Sequence, residues 1–193
     1  MPRSSIDIAI VGAGIAGLSA ARTLIRRDVD FTLLEASHRI GGRAYTEEVM
    51  PGLPLDLGCH WLHSANFNPF VEIADRHGFH YDSSRKPSTV FARGNWADAD
   101  QRNEIKRFHD RTHKRMTALP KDGEDRAVID MIDRDNPWAA LIDYEVSLDM
   151  SRDPDAVSVR DVLAYRRTGE DWPVKEGFGA LIAHCFGDVP VTL

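Results

Sequence analysis

The chain has 193 residues, 42% of them hydrophobic and 28% charged, with a formal net charge of −6 at pH 7. That length supports a substantial core, since a fold of this size buries roughly 70% of its unfolded surface, and the composition excludes a disordered or fibrous chain. The mild acidic balance, without a basic tail, excludes a duplex nucleic acid partner and is compatible with a cationic substrate.

Residues 6–11 read as a buried parallel strand, because they are apolar and β-branched and stop at a glycine. Leu18, Ala21, Leu24 and Ile25 then recur at helical spacing, which predicts an amphipathic helix over 15–27. Residues 31–34 form a second apolar strand closed by Glu35, and the whole has the size of a βαβ unit, about thirty residues. A glycine-rich loop follows over 37–46, then an extended stretch at 55–57 and a helix over 68–77 ending at Gly78.

Beyond it the texture changes. Residues 88–92 look like a strand, and 98–119 like a charged helix whose apolar residues are too sparse for a core element. Further helices are predicted over 124–132, 137–148 and 159–166, so this middle region reads as a separate helical lobe. From Trp172 the opening character returns, with two glycines, a helix and a β-like run over 189–193. No repeat or low-complexity segment interrupts this order.

Gly12, Gly14 and Gly17 have the GxGxxG spacing directly after a strand and at the opening of a helix. The first permits a tight turn, the second lets the backbone, with the amides of Ile15 and Ala16, approach a pyrophosphate, and the third allows close helix–strand packing. Glu35, at the end of the second strand, is placed to accept both ribose hydroxyls and to repel a 2'-phosphate. The competing reading is a bare turn followed by a solvated acid.

The next block separates a flavin from a nicotinamide dinucleotide. After Ala36, the residues Arg39, Gly41, Gly42 and Arg43 combine close backbone approach with positive charge, suited to the extended pyrophosphate of FAD, and Arg43 is the better candidate. The alternative is two surface arginines on a flexible turn. A nicotinamide dehydrogenase leaves residues 39–43 without a role.

Residues 11–17, 35–46 and 56–63 together resemble the flavin-containing amine oxidase family and are similar to polyamine oxidases within it. The resemblance continues through 64–79 and 172–181 and is weakest in the middle region. It implies an α/β fold, a Rossmann-like FAD-binding domain of the amine oxidase type with a mainly helical part of a substrate domain. The division expected is 1–81 for the FAD-binding segment, 82–171 for the partial substrate domain and 172–193 for the return. It further implies that Leu57, Gly58, Cys59, His60 and Trp61 pass beside the isoalloxazine ring and that His63 lies at the amine-binding face. A histidine there suits an amine, since its unperturbed pKa of ~6.5 lies near neutrality. Equally, His63 can be an ordinary loop histidine and Trp61 a core residue.

The reaction implied is oxidation of an amine C–N bond, with hydride transfer to flavin and reoxidation by O2 to hydrogen peroxide. The family's chains are longer, and their C-terminal half supplies further strands, much of the substrate cavity and a lysine near the flavin. The chain is therefore expected to be incomplete and to expose apolar surface that favours self-association or a second chain. A non-catalytic nucleotide-binding fragment is the competing function. Protoporphyrinogen oxidases and carotenoid desaturases share the opening motifs, but residues 60–63 favour amines.

Other chemistries find little support. Cys59 and Cys185 form no CxxC or Cys/His spacing, and His109 and His113 sit in a strongly basic stretch, so no metal site is expected. No run reaches the ~18 apolar residues of a membrane span and no signal-peptide pattern is present, so a cytoplasmic protein with reduced thiols is expected.

Overall fold

The computed structural model describes residues 6–84, 89–92, 94–120 and 122–193. In chain order the elements are β1 (Ile8–Val11), α1 (Ile15–Arg26), β2 (Phe31–Leu34), β3 (Thr46–Met50), β4 (Leu53–Asp56), β5 (Trp61–Leu62) and α2 (Pro69–His77). There follow β6 (Phe91–Ala92), β7 (Asn95–Trp96), α3 (Ala99–Thr117), α4 (Ala139–Met150), α5 (Val159–Ala164), β8 (Trp172–Pro173) and α6 (Phe178–Phe186). Two 3-10 turns, Val128–Met131 and Pro154–Ala156, join the helices of the middle region. The chain divides into two compact units, one made of residues 1–85 and 167–193 and the other of 86–166. No described helix is long and apolar enough to cross a membrane.

In the first unit β1 and β2 pair in parallel, with Ile8 opposite Phe31 and Val11 opposite Leu34, and α1 makes the crossover. Thr192 extends this sheet beyond β2: its amide donates to Leu33 at 2.8 Å, and the Glu35 amide donates to its carbonyl at 2.9 Å. The inner face meets α1 and α6 in a core of Leu18, Ala21, Leu33, Ile182 and Val189. The outer face is open. Val11 is 85% exposed and Leu34 41%, so β1 is not the fully buried strand its composition suggests. Continuous apolar sequence fits a strand covered on both faces, and here only one face is covered.

The stretch 46–56, for which the sequence predicts only the end of a loop at 46 and an extended stretch from 55, is the antiparallel hairpin β3–β4 with a register shift between Glu48 and Met50. Helix α2 begins on Asn68, whose side chain accepts from the Phe70 amide, and stops at Gly78 in the left-handed conformation. Strand β5 pairs with β8 across more than a hundred residues of sequence, with Leu62 opposite Trp172. That pairing brings the two segments of the unit together.

The second unit holds its own core around Phe108, Val128, Met131, Trp138, Ile142 and Val159. Helix α3 starts from a capping box between Asp98 and Gln101. It buries Ile105, Phe108, Thr112 and Met116, which corrects the expectation that it is too polar for a core element. Four residues spaced 3–4 apart make a narrow stripe, enough to seat a helix whose other faces are charged. The helix expected over 124–132 is only the 3-10 turn at Val128–Met131, and the strand expected over 88–92 is Phe91–Ala92, with Ser88 outside the described residues.

Candidate cofactor cradle

The cradle begins where β1 turns into α1. Gly12 has φ +97, a conformation open to glycine, and its amide donates to Leu34 at 2.7 Å, which fixes the turn against β2. A Cβ on Gly17 would lie 2.0 Å from the Gly12 carbonyl oxygen, so that glycine sets how closely α1 sits on the strand. Gly14, the N-cap, supplies no side chain to the helix start, and a Cβ there would meet nothing within 4 Å. The first intrahelical bond runs from the Leu18 amide to the Gly14 carbonyl. The amides of Ile15, Ala16 and Gly17 therefore precede it and take no part in the intrahelical ladder, an arrangement suited to an anion. The Ile15 side chain packs against the core.

Glu35 joins this turn to the second loop. One carboxylate oxygen accepts the Ala13 amide at 2.6 Å and the other the Ser37 amide at 2.8 Å. Those two amides, with the Ala36 amide and the Arg39 charge, outweigh burial and hold the Glu35 carboxyl below the usual range. It is thus an anion with a further lone pair on each oxygen.

The arginine loop lies directly on the glycine turn. Gly41 bridges to Gly14, its amide donating to the Ala13 carbonyl at 2.8 Å, and a Cβ on Gly42 would approach the Gly14 Cα to 3.2 Å. The two arginines then part company. Arg39 donates to the carbonyls of Ile40 and Gly42 and stacks over the Tyr45 ring at 4.0 Å, so its charge is spent on holding the loop. Arg43 is exposed, and its guanidinium has no ion pair or hydrogen bond among the described residues.

Residues 57–59 run beside this loop. The Leu57 amide donates to Tyr45 and the Cys59 amide to the Arg43 carbonyl, at 2.9 and 3.1 Å, and a Cβ on Gly58 would fall 1.9 Å from that carbonyl. The structure therefore joins residues 12–17, 35–36, 39–43 and 57–59 in one continuous surface. His60 and Trp61 follow, their rings edge to face at 5.0 Å, with Trp61 45% exposed. His63 stands apart from the glycine loops, on the β5–β8 pair. Its Nδ1 is 3.1 Å from Asp171 Oδ1.

Asp56 is the anchor that sequence reading missed. Its side chain is 1% exposed and accepts from the Thr46 hydroxyl at 2.5 Å, the Phe178 and Gly179 amides at 2.9 and 3.2 Å, and His60 Nδ1 at 3.0 Å. It caps α6 from a distant part of the chain, and Thr46 accepts the next amide, that of Ala180. Burial pushes its carboxyl up, but the four donors prevail and hold it below the ordinary range. Glu176 similarly accepts from the His80 ring and amide, at 2.6 and 2.9 Å. Burial opposes these donors, which keep its carboxyl low. No spacing rule announces the roles of Asp56, Asp171 or Glu176, because the α6 amides, His63 and His80 on which they act lie about a hundred positions away.

Among the described residues no group of three or more His, Cys, Asp or Glu is placed to hold a metal, and both cysteines are free. His109 faces Glu145 at 3.3 Å rather than forming a site with His113.

Residues 15–169 match the family model described as flavin containing amine oxidoreductase. The chain belongs to that family. FAD is accordingly its cofactor. A probable polyamine oxidase of Arabidopsis thaliana is 42% identical over 73 residues, 37% of this chain and 14% of that protein. Two solved structures share the fold: cyclohexylamine oxidase from Brevibacterium oxydans, with a TM-score of 0.64 and 23% identity, and a putrescine oxidase variant, at 0.65 and 20%. They cover 94% and 96% of this chain, which spans 49% and 50% of theirs. The chain thus spans about half the length of the solved amine oxidases it matches. The residues present fit the flavin dinucleotide, since the open space at Gly14, the uncapped start of α1 and an Arg43 charge that is uncommitted among the described residues all suit a pyrophosphate.

Proposed function

We propose that this chain carries the FAD-binding part of an amine oxidase acting on a small aliphatic amine, with O2 as electron acceptor. The observation that carries the reading is the contact of the glycine turn with the arginine loop, Gly14 on Gly41, with the Glu35 carboxylate accepting the Ala13 amide of the same turn. In this reading the unit of residues 1–85 and 167–193 is a Rossmann-like FAD domain and residues 86–166 belong to a substrate domain.

Bound FAD supplies hydride acceptance from the amine α-carbon and reoxidation by O2 to hydrogen peroxide. Glu35 receives the ribose hydroxyls, and the amides of Ile15, Ala16 and Gly17 with Arg43 take the pyrophosphate. Residues 57–61 border the ring system, their backbone fixed by the Arg43 and Tyr45 carbonyls. His63 meets the amine. The imine product leaves and hydrolyses in water.

The exposed sheet face supports a second reading, in which the chain binds FAD but needs further polypeptide over Val11 and Leu34 to turn over. Supplying FAD, then measuring visible absorbance and peroxide release on adding di- and polyamines, separates the two. Bound flavin with turnover establishes the self-sufficient oxidase; bound flavin without peroxide establishes the second reading. Failure to retain any flavin refutes both.

A further inference from the structure

The loop after β5 is held more firmly than its exposure suggests. Leu62 pairs with Trp172, the Ala65 amide donates to the Glu170 carbonyl at 2.6 Å, and the Asn68 side chain donates to the His63 carbonyl at 2.8 Å. Trp172 stacks on Tyr81 with ring centroids 5.1 Å apart, which fixes the return strand next to Asp171. Within this frame a single oxygen, Asp171 Oδ1, receives both the Ser64 amide at 3.0 Å and the ring of His63 at 3.1 Å. The Ser64 backbone is left-handed, φ +51, which turns its amide toward that oxygen.

The chemistry of the contact assigns a proton. An ionised carboxylate only accepts, so the neutral imidazole that faces it must carry its hydrogen on Nδ1 and leave Nε2 as a bare acceptor. We infer that Asp171 is a positioning residue that holds His63 in the Nδ1–H tautomer, so that Nε2 presents a lone pair to an N–H of the amine. The same side chain with its proton on Nε2 would offer a donor and meet the amine nitrogen's own lone pair instead. A primary or secondary amine, which keeps an N–H when uncharged, suits the acceptor; an uncharged tertiary amine does not. The amine consequence rests on the proposed oxidase reading, whereas the tautomer does not, and the two are separable by experiment.

The test is 15N–1H correlation spectroscopy of the histidine rings in the whole chain at about pH 8, where an ordinary imidazole is neutral. His63 is expected to show a protonated Nδ1 and an unprotonated Nε2. Asp171→Ala should move the proton toward Nε2, while Asp171→Asn, which keeps a carbonyl acceptor, should restore much of the original pattern. His60 is the internal reference, because its Nδ1 faces Asp56 and should hold its signals in both variants. A wild-type His63 with its proton on Nε2 overturns the inference, as does an Asp171→Ala spectrum in which His63 is unchanged. If Asp171→Ala does not fold, the wild-type tautomer and the Asp171→Asn spectrum still decide. Absence of amine turnover in a wild-type chain that shows the expected His63 tautomer would count against the oxidase reading alone.

Discussion

Gly14 and Gly17 lie three residues apart in one motif, yet alanine should act on them in opposite ways. At Gly17 the added Cβ would sit 2.0 Å from the Gly12 carbonyl oxygen, about 1.5 Å short of the ~3.5 Å at which ordinary contact begins. That oxygen belongs to a backbone turn at φ +97 held by the Gly12–Leu34 hydrogen bond, so it cannot swing away as a side-chain end would. Alanine in a helix gains about 1 kcal/mol over glycine, but overpacking this deep against backbone falls at the upper end of the usual range, about 3 kcal/mol, leaving a net destabilisation of about 2 kcal/mol. At Gly14 a Cβ meets nothing within 4 Å, and φ −72 with ψ 176 is open to any residue. Gly14→Ala should therefore leave the urea midpoint of the first unit unchanged. On the proposed cofactor placement, the methyl would instead stand where the pyrophosphate approaches. Losing one charged hydrogen bond there costs about 1.5–3 kcal/mol, or roughly 10- to 150-fold in FAD affinity. Urea unfolding followed by circular dichroism gives the first quantity, and quenching of flavin fluorescence on titration gives the second. A Gly14→Ala chain that binds FAD as tightly as the parent refutes the placement of the cofactor, and a Gly17→Ala chain of parental stability refutes the packing argument.

Arg43→Ala should weaken FAD binding by about tenfold with no change in urea midpoint, while Arg39→Ala, which frees the Tyr45 face and two carbonyls, should lower stability by about 1 kcal/mol. Phe108→Ala should destabilise the second unit by about 4 kcal/mol, read from the fluorescence of the neighbouring Trp138 on unfolding, because Phe108 is 1% exposed at the centre of that core. Asp56→Ala should cost about 3 kcal/mol at pH 7, since four donors lose a buried anionic acceptor. The folded Asp56 carboxyl is held below its unfolded value of 3.8, so its contribution is fully present above that pH and fades as pH falls through the folded value. Acid unfolding should accordingly be shallower in Asp56→Asn than in the parent, and identical acid profiles would refute the assignment.

Legibility in the sequence followed the range of the interactions. The turn from Val11 to Gly17, helix α1 and strand β2 are local, and their ends follow from glycine spacing and apolar periodicity, so the observed boundaries fall within a residue of those expected. Helix α2 was equally readable, because Asn68 and Gly78 are local cap signals. The hairpin β3–β4 was hidden, since the apolar pattern of 46–56 is weak and neither strand lies on a packed core. Spacing marks both Arg39 and Arg43, and the sequence reading prefers Arg43; what it does not contain is the Tyr45 ring over which the Arg39 charge is already taken. Helix α3 misled by its average composition, because a four-residue stripe vanishes among its charges. Asp56 and Asp171 carried no local signal at all.

These last residues explain how the first unit tolerates its interruption by residues 86–166. Closing a long loop costs entropy that rises only slowly with length, so each doubling adds about 0.6 kcal/mol, and a few well-made contacts across the junction suffice to hold the return segment. The contacts are graded by burial. Asp56 works at 1% exposure, where an anion with four donors resists water, while the His63–Asp171 and His80–Glu176 pairs lie at the surface and contribute little to stability themselves. Asp56 therefore fastens α6 to the hairpin beneath the cradle, and the two surface pairs are free to set side-chain orientation. On that division of labour the loop at 57–61 inherits its rigidity from its own aspartate neighbour and from the Arg43 carbonyl, and removing a surface pair should change the direction a histidine faces without loosening the candidate cradle.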